Sequence, residues 1–187
     1  MKLLLTLAGL AVLAGPAAQA APQIQRIIYN VDTTDLCSRA ANNQADLKDG
    51  LAACNTALKD PAMLHRAALL LDRGVIRVRM GHNQAALKDY DSAIAQDPKL
   101  GDAYISRAGL LVDLKRYDEA RADISQGMAL GASNLHVAYY TSGLIADDSG
   151  DLEAAYRNYQ QALTLKPDFA PASRELARFK VVPRHRT

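Results

Sequence analysis

An all-α solenoid of stacked antiparallel helical hairpins is the fold this sequence predicts, on three observations. A set of small and large residues repeats: Gly74, Ala86, Tyr90 and Ala93 recur 34 residues later as Ala108, Ala120, Ile124 and Gly127, and 35 residues after that as Gly143, Ala155, Tyr159 and Ala162. The outer two of these units close on proline, Pro98 and Pro167. The chain has no tryptophan and only two phenylalanines, which suits close helix packing better than a broad aromatic pocket. A fixed period of this length is that of two helices and their turns, stacked so that each unit covers the apolar face of its neighbour.

The chain begins with an export leader on this reading. Met1-Lys2 is the positive start, residues 3–14 are apolar, Gly15-Pro16 breaks the run, and Ala18-Gln19-Ala20 offers small residues for cleavage after Ala20. The apolar run is shorter than the about 20 residues of a spanning helix, so a bacterial-type, periplasmic or secreted protein is expected; an uncleaved anchor is the alternative. Lys and Arg total 22 against 20 Asp and Glu. A balance so near zero predicts no nucleic-acid partner, which would require a clustered basic face.

The expected organisation is a leader over 1–20, an extended arm over 21–32 with β-prone Ile24, Ile27, Ile28, Tyr29 and Val31, and a degenerate first hairpin over 33–61. Hairpins follow over 62–100, 101–134 and 135–169, then a capping helix over 170–180 and a basic tail over 181–187. In the first hairpin Thr33 or Thr34 is the candidate cap, Asn42-Asn43-Gln44 interrupts, and Gly50 stands where later units have alanine. Gly81 and Gly150 end the first helices of the second and fourth hairpins, and Asp151 starts the next helix. Gly131 to Asn134 form a longer link, which accounts for the extra residue in the period. Pro171 opens the last helix, where proline is tolerated; its Arg174, Glu175, Arg178 and Lys180 give the polar face that ends a stack.

Cys37 and Cys54 are equidistant from the first turn, so their thiols can face each other across the hairpin. With an export leader this predicts a Cys37–Cys54 disulfide; two buried free thiols are the alternative. Arg73 and Asp89, and Arg107 and Asp123, are each 16 apart and nearly equidistant from their turns. They are expected to pair across their hairpins as structural ion pairs. In the fourth hairpin both positions are uncharged, Ser142 and Asn158.

No catalytic constellation, metal site or cofactor motif stands out. There is no C-x-x-C, and His65, His82, His136 and His185 each lack a companion at ligand spacing. Residues 147–151 are acidic without the order of a calcium loop. The chain is therefore not expected to be an enzyme.

The repeat resembles the tetratricopeptide repeat (TPR) family over roughly residues 67–169. That resemblance implies a right-handed superhelix whose first helices line a concave face that binds peptides or partner helices. On it the concave residues are Leu71, Val75, Val78, Ile105, Gly109, Val112, Tyr140 and Leu144, with Asp147. Some family members clamp a chaperone's terminal carboxylate there with Lys, Arg and Asn; Leu71, Val75, Ile105, Gly109, Tyr140 and Leu144 occupy those places here. The expectation is an interaction scaffold for an apolar peptide or helix, in cell-envelope assembly by analogy. The alternatives are a self-associating protein, an accessory subunit of an envelope enzyme, or a groove filled by the chain's own arm. Membrane contact is expected only through the basic tail.

Overall fold

The computed structural model describes residues 33–179; the leader, the arm, Lys180 and the basic tail lie outside the described residues. Nine helices are described: α1 (33–41), α2 (Leu47–Ala57), α3 (Arg66–Arg79), α4 (Asn83–Gln96), α5 (Gly101–Asp113), α6 (Tyr117–Ala129), α7 (Leu135–Asp148), α8 (Leu152–Leu165) and α9 (Ala170–Leu176). Among the described residues there is no strand. α3 pairs with α4, α5 with α6 and α7 with α8. α5 also packs on both α3 and α7, and α9 closes against α8. The result is an all-α solenoid with an inner row of first helices and an outer row of second helices.

The helix ends follow local chemistry. Asp46 caps α2 by accepting from the backbone N–H groups of Lys48 and Asp49, at 2.7 and 3.2 Å. Asp151 caps α8 by accepting from the Ala154 N–H at 2.9 Å. Thr33 and Thr34 lie within α1 rather than before it. Gly81 and Gly150 end α3 and α7 with φ of 78° and 80°. The same place after α5 is held by Lys115 at φ 61°, a conformation that a side chain disfavours.

Small residues set how closely each hairpin closes. In the first, Cys37 and Cys54 are fully buried and joined as a disulfide, with Cα atoms 4.9 Å apart. One turn on, Gly50 faces Ala40 so tightly that a Cβ would overlap the alanine methyl. In the second hairpin the Tyr90 ring lies over Gly74, and in the fourth the Tyr159 ring lies over Gly143. The middle unit pairs Ala108 with the smaller Ile124, and both are buried. These large residues thus pack on the first helix of their own hairpin.

Arginines brace one hairpin to the next. Arg73 donates to both carboxylate oxygens of Asp89, at 3.0 and 2.7 Å, and to Asn55 Oδ1 of the preceding hairpin at 3.0 Å. Arg77 adds a second guanidinium on Asp89 at 2.6 Å. Arg107 repeats the scheme, gripping Asp123 twice at 2.8 Å and reaching back to Asp91 at 2.7 Å. Ser142 and Asn158 instead bond to carbonyls of their own helices, Ala138 and Ala154.

Three outcomes test this account. Gly143→Ala would put a Cβ 2.5 Å from Tyr159 Cε1, so it is expected to cost about 1–3 kcal/mol. Adding Tyr159→Ile should recover part of that loss, because the pair then matches Ala108–Ile124. Strictly additive unfolding energies for the two substitutions would refute the pairing. Asp89→Ala strands two mostly buried guanidinium groups and is expected to cost about 3 kcal/mol in urea denaturation. Asp91, with 60% of its side chain exposed, should cost less than about 1 kcal/mol when changed to alanine. Replacing both cysteines by alanine should lower stability by about 3 kcal/mol, and reductant should then leave the variant's melting temperature unchanged.

Candidate interaction groove

The inner face is built by side chains of α1, α3, α5, α7 and α9. α1 is fastened to α3 by Ser38, which donates to Asp72 at 2.5 Å, and by Arg79, which donates to the Ala40 carbonyl at 2.6 Å. Burial pushes the Asp72 carboxyl above the ordinary carboxylate range, against the pull of the Ser38 hydrogen bond. Leu71, Val75 and Val78 are partly buried along α3. Gly109 on α5 is open: a Cβ there would meet nothing nearer than Thr141 Oγ1, at 4.0 Å. Tyr140 and Leu144 follow on α7, with the Tyr140 ring edge-on to Phe169, centroids 5.4 Å apart.

Two expected groove residues are corrected. Ile105 is fully buried and points into its own hairpin, its side chain filling the space left by Gly127. Helix twist turns this position toward α6, so it reports on the core and not on a ligand. Val112 is 94% covered, as its 6% exposure shows, and forms the floor of a cleft rather than an open contact.

The groove is also more charged than the apolar pattern implied. At its C-terminal end α5, α7 and α9 enclose a cleft of about 540 Å³ over Val112 and Leu144. Asp113, Asp147, Asp148 and Glu175 line it, against Lys115 and Arg178. Lys115 donates to Asp148 at 2.6 Å, and Tyr117 hydroxyl donates to the same oxygen. Arg178 donates to Asp147 at 3.1 Å and to Glu175 at 2.5 Å. These acids sit at helix ends far apart in sequence, although Asp113 and Asp148 are 35 apart and so were visible as a repeat.

The convex side shows what the missing charges of the fourth hairpin leave behind. Between the second and third hairpins Arg107, Asp91 and Asp123 crowd a cleft of about 290 Å³. The corresponding cleft between the third and fourth, lined by Ser125, Ser142, Ile124 and Met128, is about 490 Å³. Among the described residues no group of His, Cys, Asp and Glu is arranged to hold a metal ion, and no helix is long and apolar enough to cross a membrane.

Comparison with known proteins agrees with this geometry. A family model described as Tetratricopeptide repeat matches residues 136–169. Tetratricopeptide repeat protein 6 of Homo sapiens is 31% identical over 102 residues, which is 54% of this chain and 18% of that protein. Superkiller complex protein 3 of Homo sapiens is 26% identical over 163 residues, 81% of this chain and 10% of that protein. The chain thus spans less than a fifth of the length of these curated relatives. The first TPR of Spaghetti (RPAP3), solved bound to the HSP90 peptide SRMEEVD, superposes with TM-score 0.52 at 26% identity, covering 59% of this chain and 87% of that one. MamA of Desulfovibrio magneticus RS-1 superposes with TM-score 0.59 at 19% identity, covering 79% and 81%, and shares the fold.

Proposed function

We propose that this chain, whose fourth hairpin matches the tetratricopeptide repeat model and whose other hairpins resemble it, holds a peptide segment of a partner protein along the concave face of α3, α5 and α7. The repeats it resembles serve as protein-interaction modules, as in the peptide-bound RPAP3 domain, and that likeness supports reading this chain as an interaction scaffold. The observation that carries the placement is the open strip through Leu71, Val75, Gly109, Tyr140 and Leu144, where Gly109 leaves room for a ligand backbone between two flanking helices. An acidic peptide such as the SRMEEVD of the RPAP3 complex would meet Asp113, Asp147, Asp148 and Glu175 at one end of this groove. The ligand proposed here is therefore of a different kind from that peptide. We place the protein outside the cytoplasm, in the envelope or beyond it, supported by the leader-like first twenty residues and the buried Cys37–Cys54 bond.

Gly109→Trp tests the placement. The indole would project into the open strip without entering the core. It should abolish crosslinking to the partner in an envelope extract while helical circular dichroism and melting temperature stay as in the parent. Unchanged crosslinking at a site blocked in this way would move the interface off the concave face.

A further inference from the structure

We infer that the cleft between α5, α7 and α9 receives a lysine or arginine side chain of an extended peptide partner. This rests on the concave-face reading above and names the chemistry of its ligand.

The cleft has an apolar floor, Val112 and Leu144, and a rim with more carboxylates than cations. Lys115 is committed to Asp148, and Arg178 divides itself between Asp147 and Glu175. Asp113 is left with neither a hydrogen bond nor an ion pair among the described residues, and Lys115 acts on it through space alone. Asp113 stands exposed at the rim, and desolvation by its surroundings pushes its carboxyl up. An ammonium or guanidinium group seated there would give it a charge-assisted hydrogen bond.

An aromatic ring stands beside the cleft without lining it. Tyr140 stands one turn before Leu144 on the same face of α7, partly buried. Burial pushes its hydroxyl up, and the charges of Glu175 and Asp113 add to this while Arg174 opposes them. A volume of about 540 Å³ accommodates one long basic side chain with part of its backbone, and the apolar floor suits its methylene stem.

The probe is a fluorescein-labelled peptide alternating leucine with lysine, compared by anisotropy with its leucine–glutamate counterpart on the full chain. The lysine peptide should bind and the glutamate peptide should not. Asp113→Asn, which removes an exposed charge with no folding partner, should weaken the lysine peptide about fivefold at low salt, and Gly109→Trp should block it. If both peptides bind alike, both are blocked by Gly109→Trp and neither responds to Asp113→Asn, the groove stands and the cation inference falls. Binding that Gly109→Trp leaves intact overturns both readings, and binding of neither peptide overturns this one. A full-length variant with Lys180, Arg184 and Arg186 changed to glutamine covers the remaining occupant. If the lysine peptide binds only to that variant, the chain's own basic tail fills the cleft, and an external partner is ruled out.

Discussion

The distance between the two helices in each of the last three hairpins depends on one contact, a large side chain laid over a residue with little or no side chain. Gly74 under Tyr90 and Gly143 under Tyr159 bring the inner and outer helices to one spacing, and Ala108 under Ile124 reaches it with the volume shared differently. Close-packed interiors tolerate such exchanges when total volume is kept. With the hairpins closed in this way, α5 packs on both α3 and α7, and the inner helices form a continuous concave face. The first hairpin, whose sequence had drifted furthest from the repeat, closes differently, with Gly50 directly against Ala40 and no large residue between them.

Onto this apolar spacing the arginines add direction. Arg73 and Arg107 each hold an aspartate of their own hairpin and a polar group of the one before, so each links two units. In a stack where a unit touches only its neighbours, such links make separate hairpins behave as one body. The fourth hairpin joins by other means: Asp102 accepts from the backbone N–H groups of Ser133 and Asn134, at 2.6 and 3.2 Å, and fixes the link into α7. The convex cleft is wider where the arginine is gone, and the concave cleft at the same end carries its own charged rim.

Much of this was legible in the sequence because solenoids are nearly one-dimensional. The spacing of Gly74, Ala108 and Gly143 sets helix number and pairing, and residues equidistant from a turn come out level, as Cys37 with Cys54 and Arg73 with Asp89 do in the structure. Rotation about a helix axis was harder to read. Ile105 falls at a groove position by spacing, yet the angle between α5 and α6 carries it under Gly127. Arg77 was missed as a partner of Asp89 because its equivalent in the next unit is Leu111, so repetition did not mark it. The acidic cleft was missed for a different reason. Its members come from the ends of α5, α7 and α9, with Arg178 just beyond α9, and charge at helix ends is ordinarily accounted for by turns and caps.

α9 is seven residues long, too short to hold its shape without neighbours. It is kept in place by Phe179 against Tyr156 and Tyr159, and by Arg178 on Asp147. Its free side faces no further unit among the described residues, so it is the end of the stack most open to fraying. The cleft is walled by this same element, through Glu175 and Arg178. A chain segment lodged between α5, α7 and α9 would do for α9 what another hairpin does for each inner helix: the guest would serve as the next storey of the building, and its departure would leave the roof loose.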